Sequence, residues 1–420
     1  MSSIPPFDLT DAQVRAAVAA FGSPLYVYDE ATLRARAHAV AAFGGPFGFT
    51  PRFAVKANPS RGVLRLFHDE GLHFDASTVF EAQRVMAAGL PAASVQVTAQ
   101  ILVDGFADLA RAGVRLTACS LRQLEQIGMA LPGTEIGVRI NPGEGTGHNN
   151  RTNVAGPDAS FGIWHEHLAE AQAIASRHRL RIRWLHHHVG SGGDPHKWAV
   201  IAAVTLGFLA IFPDVDRVNL GGGFKVGRMP GESESDLEQA AREAHALLRA
   251  IAADCGRELH LEIEPGTWLT ALAGVIVGTA HDVVSTGSDG HTFVRSDIGL
   301  SEILRPSMYG AQHPMRFVAA APSRPLGEPE PLLIVGPCCE SGDLLTPADG
   351  DPEALAPRRL ARPRPGDRLV VGAAGAYCAA MAARNYNSIP AAPELLLSER
   401  GEFVELRRRQ SLDDVLRDEC

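Results

Sequence analysis

Lysine is almost absent from this chain of 420 residues. Lys56, Lys197 and Lys225 are its only three, so 39 − 3 = 36 of its basic residues are arginine. An arginine bias of this kind needs no functional account. Where a lysine persists, the question is whether an amine is required, because a guanidinium stays protonated and forms no Schiff base. Positive charge is short overall as well: 39 basic residues face 48 acidic ones, a formal net charge of −9. A protein that binds polyanions needs a basic face to release counterions, so nucleic acid and anionic membranes are not expected partners.

Long apolar runs are missing too. The longest, Trp198 to Phe212, has about 15 residues and contains Thr205 and Gly207, too short to span a bilayer; it reads as a buried helix. Met1 to Thr10 has no basic stretch followed by an apolar one, so no secretory signal is expected. The six cysteines, Cys119, Cys255, Cys338, Cys339, Cys378 and Cys420, then point to free thiols in the reducing cytoplasm rather than to a disulfide framework.

What is present is a chain of 45% hydrophobic residues with mean hydropathy near zero. At about 150 residues per domain its length implies two or three domains. From Phe53 to Gly266 short apolar runs alternate with longer amphipathic stretches, the pattern of repeated strand–helix units. Eight runs read as strands, centred on Phe53–Asn58, Leu72–Ala76, Val95–Ala99, Arg115–Ser120, Ile136–Asn141, Arg183–Val189, Arg217–Gly221 and His260–Glu264. Eight units predict a closed (β/α)₈ barrel rather than an open sheet. Beyond residue 285, Val- and Leu-rich runs such as Pro331–Val335 and Asp367–Val371 are separated by Pro and Gly, which predicts a mostly antiparallel sheet. The Pro-rich stretches Ala321–Glu330 and Thr346–Pro365 read as loops. We therefore expect a barrel over residues 46–285 and a β-rich domain from 1–45 and 286–420, with Pro24–Asp29 packed in the latter.

A barrel of this type carries its chemistry at the C-terminal strand ends, and six of the eight ends here are polar: Lys56-Ala57-Asn58, Asp75-Ala76-Ser77, Arg139-Ile140-Asn141, His186 to Ser191, Gly221-Gly222-Gly223, and Glu262-Ile263-Glu264-Pro265-Gly266. Lys56 follows Phe53, Ala54 and Val55, which sets its amine at the barrel mouth among apolar walls that favour the neutral nucleophile. The bland alternative is a surface lysine at a strand end; the scarcity of lysine weighs against it. Such an amine suits a Schiff base with pyridoxal phosphate. That cofactor asks for close backbone approach at its phosphate, which Gly221 to Gly223 permit, a hydroxyl such as Ser191, a carboxylate such as Glu264 to keep the ring nitrogen protonated, and a flat cover such as His188. Of the three consecutive histidines only His186 and His188 share a strand face, with no acidic or Cys partner at ligand spacing, so no metal is expected. Further on, Cys338-Cys339-Glu340-Ser341-Gly342-Asp343 suits proton delivery and recognition of a cationic substrate group, or else a buried turn of small residues.

The ordered set Val55-Lys56-Ala57-Asn58, Phe74-Asp75-Ala76-Ser77, His188-Val189-Gly190-Ser191, Gly221-Gly222-Gly223-Phe224, Glu264-Pro265-Gly266, Arg305-Pro306 with Tyr309, Cys339 to Asp343 and Gly375-Ala376-Tyr377 closely resembles the alanine-racemase-fold pyridoxal-phosphate decarboxylases, and within them the diaminopimelate decarboxylases, over nearly the whole chain. The resemblance implies conversion of meso-2,6-diaminopimelate to L-lysine and CO₂ by a head-to-tail homodimer, in which the β-rich domain completes the partner subunit's active site. It assigns Lys56 as the cofactor-linking lysine, His188 as the ring-stacking residue and Glu264 as the partner of the ring nitrogen. Asp75, Arg139, Ser191, Gly222, Gly223, Gly266 and Tyr377 match cofactor-binding positions. Cys339 matches the proton donor, and Arg305, Tyr309, Glu340 and Tyr377 match substrate-binding positions. One residue departs from the pattern: where the family commonly reads Glu-Pro-Gly-Arg, this chain has Thr267. The loss of that arginine leaves room for another amino acid, such as ornithine, arginine or a siderophore or carrier-bound precursor. A racemase would not need the Cys339 to Asp343 element, and Lys56 together with Cys339 argues against a non-catalytic regulatory homologue. Gly143 to Gly156, rich in Gly and Asn, reads as a lid.

Overall fold

A computed structural model describes residues 4–145, 154–190 and 194–420. Eight parallel strands, Phe49–Ala54, His73–Ala76, Val95–Val97, Arg115–Ala118, Glu135–Asn141, Arg181–His186, Arg217–Asn219 and His260–Ile263, pair in chain order. The eighth returns to the first through Leu261 opposite Phe49, which closes the barrel. All eight predicted strands are present, but several end two to four residues early. The first stops at Ala54, so Lys56 stands on a 3-10 turn, Val55–Ala57, and not in the strand.

Helices between the strands begin on side-chain caps written in the sequence. Thr78 Oγ1 accepts the Glu81 N–H, Ser120 Oγ accepts that of Gln123, and Asp236 Oδ1 that of Gln239. The apolar run expected as a buried helix is the helix Pro195–Leu206 followed by a 3-10 turn, Gly207–Ile211. Its burial is one-sided: Trp198, Ile201, Ala202 and Thr205 are buried, whereas Val200 and Val204, four residues apart on the opposite face, are exposed.

Inside the barrel the alternation of strand residues places charge where bulky aliphatic side chains usually sit. Glu262, 1% exposed, receives Arg52 through Nε (2.8 Å) and Nη2 (3.2 Å) and Arg115 through Nη1 (2.6 Å). Burial alone would raise the Glu262 pKa, but the charges and hydrogen bonds of the two arginines outweigh it and hold the carboxyl well below its ordinary range. Glu262→Gln leaves both guanidiniums buried without a counter-charge. It should cost about 3–5 kcal/mol of stability in urea unfolding; a loss below about 1 kcal/mol would show the triad to be dispensable.

The chain divides into two compact units: one comprises Arg36–Val226 and Ser233–Leu269, the other the chain up to Ala35, Gly227–Glu232 and Thr270–Cys420. The second unit carries a nine-stranded, mostly antiparallel sheet. Leu25–Asp29 lies within it, antiparallel to Gly274–Ser285 and parallel to Glu394–Leu397. Gly274–Ser285, expected in the barrel, therefore belongs to the sheet. Leu9, Val14, Ala17 and Val18 of the first helix and its approach pack on Val27, Val275, Val277, Leu395 and Leu397. The Pro-rich stretch read as a loop holds strands Pro347–Ala348, Asp351–Leu355 and Arg358–Ala361. Pro352 is tolerated because its strand pairs on one side only, with Pro347–Ala348. Among the described residues no helix is long and apolar enough to cross a membrane.

Candidate active site

At the C-terminal mouth of the barrel Glu264 directly follows the eighth strand and is 7% exposed. Its carboxylate accepts from Asn219 Nδ2 at 2.6 Å, from His186 Nε2 at 3.1 and 3.2 Å, and from Gln96 Nε2 at 3.4 Å. Glu262 and Glu264 are thus two carboxylates of one strand face with opposite surroundings. Burial raises the Glu264 pKa to about 6 against the pull of Lys56, Arg139 and Asn219. Asp75, also buried, takes a hydrogen bond from Thr98 Oγ1 at 2.8 Å, and burial together with the Glu264 charge lifts it to about 7. This paired acidity asks for a further positive charge at the mouth.

Lys56 is exposed, between buried Val55 and Ala57, and its amine has no hydrogen-bond or ion-pair partner among the described residues. The expected apolar walls are not there. Beyond the strand end the side chain emerges into the field of Asp75, Glu264 and Glu81, which are the carboxyls it acts on. Its amine is nonetheless free to react.

The glycine run passes against two strand ends. A Cβ on Gly222 would lie 2.5 Å from the Glu264 carbonyl oxygen, and one on Gly221, at φ +64°, would lie 2.4 Å from that of His187. Gly221 donates its N–H to Asn219 Oδ1 (2.9 Å) and Gly222 to His188 Nδ1 (3.1 Å). The bond to Nδ1 makes that nitrogen an acceptor, and burial depresses the imidazole pKa well below normal, so His188 is neutral. Asn219 therefore ties the glycine loop to Glu264. Sequence reasoning passed over Asn219, Gln96 and Thr98; their signal was polarity at inward-facing strand positions. His187 points to the opposite strand face, fully buried. Arg139, 8% exposed, lies over the Phe161 ring at 5.1 Å. Gly266 is buried. Asn141 holds both ends of the expected lid, accepting from Gly143 N–H (3.2 Å) and Gly156 N–H (2.8 Å); residues 146–153 of that segment, and Ser191, lie outside the described residues.

In the sheet unit, Arg305 opens the short helix Arg305–Tyr309. Cys339 and Glu340 are exposed on a loop anchored by Asp343, whose carboxylate accepts from the N–H groups of Leu300 (2.6 Å) and Cys338 (2.8 Å). The adjacent cysteines differ: Cys338 is buried, and burial with the Asp343 charge raises its thiol to about 12, whereas Cys339 is open to solvent. Tyr377 sits at φ +57°, a backbone region costly for a side chain of its size and characteristic of functional positions.

A lysine with a free amine, a buried carboxylate two residues beyond an ion-paired one on the same strand face, and a glycine loop without room for side chains are the parts of a pyridoxal-phosphate barrel. The family described as pyridoxal-dependent decarboxylase, pyridoxal binding domain, matches residues 31–271. The diaminopimelate decarboxylase of Streptomyces coelicolor is 34% identical over 98% of this chain and 92% of its own. That of Escherichia coli strain K12 is 33% identical over 97% and 96%. A crystal structure of a diaminopimelate decarboxylase aligns with a TM-score of 0.90 at 31% identity, covering 99% of this chain and 98% of the other. The chain belongs to the pyridoxal-dependent decarboxylases. Within that family it falls among the diaminopimelate decarboxylases.

Pyridoxal phosphate is accordingly the cofactor, and the residues present fit it. The free Lys56 amine meets its aldehyde chemistry, the Gly221 to Gly223 backbone leaves the close approach a phosphate requires, and buried Glu264 is a carboxylate awaiting a cation.

Proposed function

We propose that this protein removes one α-carboxylate from meso-2,6-diaminopimelate, giving L-lysine and CO₂. The observation that carries the reading is the pairing of a free lysine amine with a buried, four-times hydrogen-bonded carboxylate at one barrel mouth. The relatives named for this activity support it across the whole chain. When bound, pyridoxal phosphate supplies an electrophilic carbon and a ring that takes up the electron pair left by CO₂. Lys56 holds the cofactor and yields to the substrate amine. Glu264 keeps the ring nitrogen protonated, with Asn219 and His186 fixing the carboxylate. His188 covers the ring as a neutral imidazole, and the glycine loop with Ser191 and Tyr377 holds the phosphate; Asp75, Arg139 and Gly266 complete the cofactor site. Cys339, presented by a second copy of the chain, gives a proton to the α-carbon. Arg305, Tyr309 and Glu340 hold the far amino-acid centre. The working form on this reading is a cytoplasmic homodimer with shared sites.

Incubation of the holoprotein with meso-diaminopimelate should release CO₂ and L-lysine in equal amounts. Turnover of ornithine or arginine with none of diaminopimelate would replace the substrate assignment.

A further inference from the structure

Among the described residues, buried Arg52 and Arg36 and half-buried Arg407 each have an acid, although buried Arg139 has none at ion-pair distance. Arg52 has Glu262, Arg36 has Glu234 at 3.3 Å, and Arg407 has Glu394 at 2.7 Å. One cluster in the sheet unit departs from this pairing. Arg228, in the segment Gly227–Glu232 after the glycine loop, has Nε and Nη2 buried with no hydrogen-bond partner. The nearby carboxylate of Glu232 is turned to the backbone, where its Oε2 accepts the N–H groups of Arg228 (2.8 Å) and Met229 (3.3 Å). Arg305 donates through Nε to His313 Nε2 at 3.4 Å. His313 is fully buried and its Nδ1 bonds the Gly372 carbonyl at 3.0 Å, so Nδ1 carries the proton and the ring is neutral. Arg358 closes the group, donating to the His313 carbonyl at 2.6 Å and reaching Met229 Sδ at 3.9 Å. Three guanidiniums thus surround one neutral histidine, with no carboxylate at ion-pair distance from any of them among the described residues. Burial first, and then the charge of Arg305, brings the Arg228 pKa down to about 9. Guanidinium nitrogens buried without a partner, as in half-buried Arg228, are costly, and an incoming anion would offset that cost.

We propose that Arg228 and Arg305 form the clamp that binds the carboxylate at the far end of the substrate, in a chain that carries Thr267 where an arginine is common. The proposal rests on the diaminopimelate reading and names the residue that gives it specificity. Two guanidinium forks grip one carboxylate through charge-assisted hydrogen bonds. Thr267 then needs no charge of its own.

L-Lysine retains that carboxylate, whereas 1,5-diaminopentane is the same diamine without it. The two are therefore compared as inhibitors of the holoenzyme. Wild type should bind L-lysine more tightly than the diamine. Arg228→Gln should weaken L-lysine by roughly 10- to 100-fold, the worth of a lost charge-assisted contact, and leave the diamine within about twofold. Its melting temperature should not fall, because a charge with two buried, unpartnered nitrogens is removed. An Arg228→Gln enzyme that binds L-lysine as wild type does, or loses both ligands equally, overturns the clamp. A wild-type enzyme that shows no preference for L-lysine and releases no CO₂ from diaminopimelate overturns the substrate reading beneath it.

Discussion

Lys56→Arg should abolish the covalent cofactor link while preserving charge, and decarboxylation should fall by more than about 10³-fold. The argument is chemical. A guanidinium stays protonated at any working pH and offers no free electron pair to an aldehyde. The position is also one where a cation alone would serve structure equally well, since Lys56 is exposed and unpaired among the described residues, in the field of Asp75, Glu81 and Glu264. The fold should therefore survive, and the melting temperature of the cofactor-free protein should be unchanged. Absorbance of the imine between lysine and pyridoxal phosphate should vanish and be replaced by that of free aldehyde removable by dialysis. A variant that keeps the imine absorbance would show that another amine holds the cofactor; Lys197 and Lys225 are the only other lysines.

Glu264→Gln should have the opposite profile. The cofactor stays linked, with its absorbance present, but kcat falls by about 10²- to 10⁴-fold. Gln matches the shape of Glu and cannot ionise, so it no longer stabilises a protonated ring nitrogen, and the ring accepts electrons poorly. The titration of the site provides a second measurement. Burial raises Glu264 to about 6 in the cofactor-free protein. A cation placed against it favours the ionised form, so the carboxyl titration near pH 6 should move downward on cofactor binding. An unchanged titration in the holoprotein, or full kcat in Glu264→Gln, would remove Glu264 from the ring nitrogen.

The site was legible in the chain to the degree that its residues are rare or ordered. Lys56 stood out because lysine is scarce, and Gly221 to Gly223 and Glu264 because they fall at strand ends in sequence order. Arg228 was hidden by the same bias that exposed Lys56: among 36 arginines, one more in Gly-Arg-Met-Pro carries no signal. Asn219, Gln96 and Thr98 were missed because a polar residue in a strand or directly after one gives no sign of which partner from another strand it meets.

The sequence alone determined the strand–helix alternation, the count of eight, the sheet that follows and the order of chemical groups at the barrel mouth. These are local properties, set by period, capping and turn residues within a few positions of one another. Tertiary structure decided what those groups do. It separated Glu262 from Glu264, two residues apart on one face, into an arginine-held structural carboxylate and a raised one with nitrogen donors but no arginine. It set Cys338 in the interior and Cys339 at the surface, and gathered Arg228, Arg305 and Arg358 around His313 from distant parts of the chain. Burial and charge pairing depend on residues far apart in sequence, and only closure of the barrel and the sheet brings them within range of one another.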